Sequence, residues 1–183
     1  MDINELQAIL KAQYPTMDAI LIHREDLVFE ERVKLKCYQC RNYNTKWSCP
    51  GKLPQIDFRK VISEYTNMAV IIYKKSAVRN QKSEVRDQKS EDDYRAASNE
   101  LHRAMLYLEA EMMKRNNPLA QSFIGGYCAV CKDACPPDKC AHPEQARISW
   151  DATGCNVMRS LANIGVQVDF TGKDVQRFGL FVW

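Results

Sequence analysis

The sequence predicts an α/β (α+β) fold in a single domain, residues 1–183, with a mixed sheet, covering helices and two cysteine-rich loops. Three observations lead there. Helical apolar stripes alternate with short continuous apolar runs, a 183-residue chain suits one core better than two, and eight cysteines fall mostly into two groups, one in each half. Hydrophobic residues at 45% and charged residues at 27% belong to a globular chain, so apolar packing should carry part of the fold.

Residues 3–12 place Leu6, Ile9 and Leu10 on one helical face, and Ala19-Ile20-Leu21-Ile22 then reads as a short buried strand. A second helix is predicted over 57–65, capped at Asp57 and carrying Phe58, Val61 and Ile62. The strand Met68-Ala69-Val70-Ile71-Ile72-Tyr73 follows it. From Arg79 to Asp93 nearly every residue is charged or amide-bearing, which makes 79–93 a charged insert or a solvated helix extension. Ala97, Leu101, Ala104, Met105, Leu108 and Met112 form a long helical stripe that ends before Asn116-Asn117-Pro118. Residues 125–143 form a loop punctuated by glycine and proline. Short helices over 143–152 and 156–164, and strands over 166–170 and 178–182, complete the expected elements.

The N-terminus lacks the basic start and apolar run of a signal peptide, and no segment is long and apolar enough to span a bilayer. The chain is therefore read as cytoplasmic, with no membrane partner. A net charge of +3 is too small and too evenly spread for a nucleic-acid footprint, so no nucleic acid is expected either. In a reducing compartment eight cysteines call for ligation, catalysis or burial rather than disulfides.

Their spacing points to metal. Cys128, Cys131, Cys135 and Cys140 read C-x2-C-x3-C-x4-C, four soft ligands within thirteen residues. Short consecutive cysteine runs with a proline after one cysteine are a ferredoxin habit, whereas zinc ribbons pair C-x2-C knuckles from separate segments. A 4Fe-4S cluster is preferred here, with Zn as the alternative. Gly125 and Gly126, just ahead of Cys128, can take positive φ and bring backbone amides toward the metal, or simply form a turn. Cys37, Cys40 and Cys49 supply three further thiols, one short of a tetrahedral set. Cys155 is the remaining cysteine, either the fourth ligand or a small buried hydrophobe. Without it, three thiolates leave one iron with an exchangeable position, which is what a catalytic metal needs. One or two clusters are thus expected. Two would bring the holoprotein to a net charge of about −1.

His142 could ligate or hydrogen-bond a cluster sulfur, while His23 and His102 read as structural or solvent-facing. The Arg147 fork could hold a carboxylate or an anion, with an ion pair the simpler use. Tyr43 and Trp47 are read as an apolar lid over the metal.

Cys40-Arg-Asn-Tyr43, Trp47-Ser-Cys49-Pro50, Gly125-Gly126, the Cys128/Cys131/Cys135 run, Cys140-Ala-His-Pro143 and Ala146-Arg147-Ile148-Ser149 together resemble an uncharacterised prokaryotic family of predicted metal-binding proteins. The resemblance covers most of the chain from Cys37 onward. It implies a bacterial or archaeal cytosolic protein in which both cysteine groups converge on metal, with no assigned substrate. Here Cys49 is followed by Pro50-Gly51 where the family tends to C-P-P, and Cys155 stands where the family usually has an apolar residue. Three functions follow: electron transfer to a redox partner protein, catalysis on a small-molecule substrate at an open iron, or a zinc-stabilised structural or adaptor module.

Overall fold

A computed structural model describes residues 1–76, 88–131, 134–170 and 174–183. Four strands form one sheet: β1 (Met17–Leu21), β2 (Met68–Ser76), β3 (Gln121–Phe123) and β4 (Asp174–Val182), in the order β1-β2-β4-β3. All three strand pairs are antiparallel, which corrects the expected mixed sheet. Parallel pairing among the described residues is confined to one bridge between Ile124 and Ser149.

Both faces of this sheet are covered, which is why β2 reads as an unbroken apolar run rather than an alternating one. Ala69, Ile71, Tyr73 and Phe181 face the helices α1 (Ile3–Gln13) and α4 (Gln88–Lys114), which present Leu6, Leu10, Leu101, Met105 and Leu108. Met68, Val70, Ile72, Phe178 and Leu180 face the other way, toward α3 (Phe58–Ser63) and α5 (Val157–Asn163), with Trp150 and Cys155 filling the space between. Helix starts are chemically marked. Asp2 and Glu5 form a capping box on α1, Asp57 accepts from Lys60 N at 3.2 Å on α3, and Asn156 accepts from Arg159 N at 3.1 Å on α5.

The expected helices over 3–12, 57–65, 97–112 and 156–164 all form. So do the strands at 19–22, 68–73 and 178–182, with shifted ends. Residues 88–93 of the charged stretch belong to α4, while 79–87 lie outside the described residues.

Two expected elements are corrected. Residues 143–152 are not a helix, because their backbone groups are claimed elsewhere. Ile124 N donates to Ile148 O at 2.9 Å, Trp150 N to Ile124 O at 2.8 Å and Ser149 N to Ser48 O at 3.0 Å, leaving only a single 3-10 turn at Asp151–Thr153. Residues 166–170 are not a strand. Asp169 N is satisfied by the Gln176 side chain at 2.8 Å instead of by a neighbouring backbone, and Phe170 stands out in solvent. The helix α2 (Glu31–Tyr38) was not anticipated. It buries none of its residues and so has no apolar period to read.

Candidate metal centre

The position of α2 is set from its N-terminal side. Residues 28–30 run against 154–156: Glu30 N donates to Gly154 O at 3.0 Å, Asn156 N to Val28 O at 2.6 Å, and Phe29 bridges Cys155. The Glu30 carboxylate then collects Arg32, Asn156 Nδ2 at 2.7 Å and Arg159, tying the start of α2 to the start of α5. The Arg32 fork first, and then Asn156 and Arg159, hold its pKa down to about 2. These contacts pack α2 against the Asp151–Thr153 turn.

Cys37 occupies the last turn of α2, half-buried. Cys40 follows in an exposed turn closed by Cys40 N donating to Cys37 O at 3.0 Å. Further turns, Tyr43 N to Cys40 O and Cys49 N to Lys46 O, both 3.0 Å, fold the loop back and bury Cys49. Burial pushes the Cys37 thiol up to about 11, with Asp151, Cys49 and Cys40 adding to the effect; burial likewise raises Cys49, with Cys40 and Asp151 adding to the rise. The three thiols and Asp151 therefore share one electrostatic neighbourhood, and a cation entering it would displace their protons.

The second group behaves alike. Burial raises Cys128, whose sulfur accepts from the backbone N–H groups of Val130 and Arg147, and Cys135 and Cys140 raise it further. Cys131 is raised by desolvation and then by Cys135, Cys128 and Cys140. Cys131, Cys135 and Cys140 are half-buried. Cys135 and Cys140 thus act on both Cys128 and Cys131.

Three hydrogen bonds stitch the two loops together. Buried Ser48 Oγ accepts from Cys128 N at 2.9 Å, Trp47 Nε1 donates to Pro136 O at 2.9 Å and Lys52 Nζ to Pro137 O at 2.7 Å. Trp47 is half-buried against the second loop, with Lys52 Nζ 4.6 Å from its ring centroid. Tyr43 packs edge-on against Tyr38 at 5.1 Å. The second loop is also clamped from behind. Arg147 Nε donates to both Glu109 carboxylate oxygens, at 2.8 and 2.9 Å, and Arg147 Nη1 donates to Ala146 O at 2.7 Å and Glu144 O at 3.1 Å. Glu109 also accepts from Ser122 N at 2.9 Å, so the clamp joins α4, β3 and the cysteine loop. The Arg147 fork is spent on an ion pair with Glu109, the simpler of its expected uses.

The two glycines differ. Gly126 has φ of +75°, and its N–H serves the Asp151 carboxylate. Gly125 has no positive φ; it is required for space, because a Cβ there would lie 2.1 Å from Phe178 O.

Cys155 is fully buried in the core beside Trp150, its Sγ 3.4 Å from Ser160 Oγ, with burial pushing its thiol up to about 11. His102 is buried on α4, with Nε2 2.8 Å from Gln145 O. His23 is exposed, and His142 lies 3.9 Å from Glu144 in the second loop. Sequence reasoning missed two members of the site, Ser48 and Asp151. Cysteine spacing points to soft ligands and carries no signal for the carboxylate that directly follows Ser149-Trp150. Asp151 is half-buried, and desolvation raises its carboxyl above the ordinary range while its own N–H and that of Gly126 pull it back.

A cleft of about 620 Å³ opens beside this region, with Arg41, Gly126, Tyr127, Asp151, Met158 and Arg177 among its walls. Among the described residues no three Cys, His, Asp or Glu side chains converge closely enough to hold a metal ion. No helix among the described residues is long and apolar enough to cross a membrane.

Neither the curated proteins nor the solved structures contain a match to this chain. A family model described as a predicted metal-binding protein, DUF2284, matches residues 20–182, and the span includes both stitched cysteine loops. The chain belongs to the DUF2284 family of predicted metal-binding proteins.

Proposed function

We propose that this protein binds one or two 4Fe-4S clusters and transfers single electrons to a redox partner protein in the cytoplasm, with neither nucleic acid nor membrane as partner. Cys128, Cys131, Cys135 and Cys140 would hold one cluster, and Cys37, Cys40 and Cys49 would hold the other. The observation that supports the reading is the stitching of the two loops through Ser48, Trp47 and Lys52, which joins the two segments that carry the seven cysteines. A bound cluster supplies one-electron redox chemistry. The chain's own part is to exclude water from the cysteines with Trp47 and to aim backbone N–H groups of Val130 and Arg147 at the Cys128 sulfur, which stabilises negative charge there.

Anaerobic purification followed by absorption spectroscopy, iron and sulfide analysis, and electron paramagnetic resonance after reduction tests this. A brown protein with matching iron and sulfide is expected. A colourless protein with stoichiometric zinc and no iron refutes it, and assigns the zinc-stabilised structural or adaptor module.

The cleft beside Asp151 and Arg41 favours a second reading, a cluster-dependent enzyme that uses an open iron at the Cys37/Cys40/Cys49 group for a small substrate. Addition of cyanide to the reduced protein tests it. A changed resonance signal from one cluster supports an open iron, and an unchanged spectrum leaves electron transfer as the function.

A further inference from the structure

Arg177 is a half-buried cation at the wall of the cleft beside the cysteine loops. β3 pairs with β4 only from Leu180 to Val182, so the earlier part of β4 is left to border the cleft. Arg177 shares a face of β4 with the core residues Val175 and Phe181, which turns it toward α4. There its Nε donates to Ser98 Oγ at 2.7 Å, and its guanidinium carbon lies 4.6 Å from the centre of the Tyr94 ring. Ser98 Oγ donates in turn to Tyr94 O at 2.9 Å, so one turn of α4 fixes the fork. Its outer edge is left over. Nη1 reaches Gln176 O at a long 3.4 Å, and Nη2 has no partner among the described residues. Nor is any carboxylate paired with Arg177 among them; burial draws its pKa down, and the phenols of Tyr94 and Tyr127 oppose the fall. A guanidinium stays charged in a protein, so a desolvated one without a counter-ion is stabilised by an anion that enters.

The other walls decide which anion. Asp92, Asp151, Asp169 and Asp174 also line the cleft, and their charge disfavours a doubly charged phosphate. Val157, Met158, Val168 and Phe178 offer apolar surface, and a volume of about 620 Å³ is of the size that takes a small molecule. Two parallel N–H groups on the outer edge of a guanidinium match the two oxygens of a carboxylate. We propose that the cleft binds a small monocarboxylic acid, its carboxylate on the outer edge of the Arg177 fork and its apolar body against Met158 and Val168. Ser98 and Tyr94 are positioning residues that hold the fork. The inference goes beyond the cluster reading and does not depend on which metal the cysteines hold; for the cluster-dependent enzyme it names the substrate class.

Equilibrium dialysis of the anaerobically purified protein against radiolabelled benzoate and, separately, hexanoate tests this, with benzamide and inorganic phosphate as competitors. At least one of the two carboxylates should bind once per chain with a Kd of about 1 mM, and neither benzamide nor phosphate should displace it. Arg177→Gln should weaken binding about tenfold or more. Met158→Trp should block it by filling the cleft while leaving the fork untouched; Met158 is exposed, so this variant keeps the test decisive should Arg177→Gln fail to fold. Binding of neither carboxylate overturns the inference, as does displacement by phosphate, or unchanged binding in Met158→Trp or in a folded Arg177→Gln. Because dialysis does not read the metal, a failure here is separate from a failure of the cluster reading.

Discussion

The Glu109–Arg147 clamp makes a quantitative prediction about what holds the second cysteine loop in place. Both side chains are about one-seventh exposed, 16% for Arg147 and 14% for Glu109, so the pair lies between a surface bridge and a buried one. Removing one partner of a fully buried pair costs about 3–5 kcal/mol, because the other charge is left uncompensated. Here each survivor keeps other partners. Glu109 retains Ser122 N, and Arg147 retains the carbonyls of Glu144 and Ala146. The expected loss for Arg147→Met or Glu109→Gln is therefore about 2–3 kcal/mol, or a fall in Tm of about 4–12 °C for a chain of this size. The double variant should lose less than the sum, with a coupling energy of about 1–2 kcal/mol in a double-mutant cycle. Matched thermal unfolding of the four proteins under anaerobic conditions reads this directly. Strict additivity, or single-variant shifts under about 2 °C, would show that the clamp does not hold the loop.

Three further outcomes follow from the same reasoning. Glu30 has its carboxyl pKa lowered from 4.5 to about 2, so its contribution is complete above pH 4.5 and is lost as pH falls through about 2. Glu30→Gln should be less stable than wild type in urea at pH 7, and the gap should close in acid. Burial lowers the pKa of His102 below 6.5, so the unfolded chain takes the proton first as pH falls. Stability should then decline below pH 6.5 in wild type, and less steeply in His102→Gln, whose amide can still donate to Gln145 O; equal slopes would contradict this. Gly125→Ala meets backbone at 2.1 Å and should be poorly folded. Gly126→Ala, with open space around its Cβ but φ of +75°, should lose only about 1 kcal/mol, and a reversed order of Tm values would refute the assignment.

Much of the fold was legible because apolar period and burial agree. Leu6 and Leu10, the stripe from Ala97 to Met112, and the run Met68 to Tyr73 are all core residues, and Asp57 and Asn156 announce their helices by capping chemistry. The failures share one cause, which is that local pattern does not know its tertiary partners. Ala146 to Asp151 has helical composition, yet Ile124 and Ser48 take its backbone groups. Conversely, α2 is a helix without an apolar face, held by Glu30 and the 154–156 segment, a contact that no window of sequence contains. The same limit applied at the site. Spacing alone outlined the two cysteine groups as candidates, since ligands of one loop are neighbours in sequence. Ser48 and Asp151 join them only through folding, and polar residues of such common type carry no spacing signal.

The segment pairing that brings 28–30 against 154–156 also bears on the order in which the protein comes into being. Asn156 reaches Glu30 across 126 residues, and Cys128 reaches Ser48 across 80. On a translating ribosome the three N-terminal cysteines emerge long before anything that can position them, and exposed thiols in an unfinished chain are open to oxidation or to stray metal. The turn bearing Asp151 and the central strand β4 arrive last. Positioning of the first cysteine group is thereby deferred until synthesis is nearly complete, and a chain truncated before Asp151 would present those thiols without the turn that packs against α2.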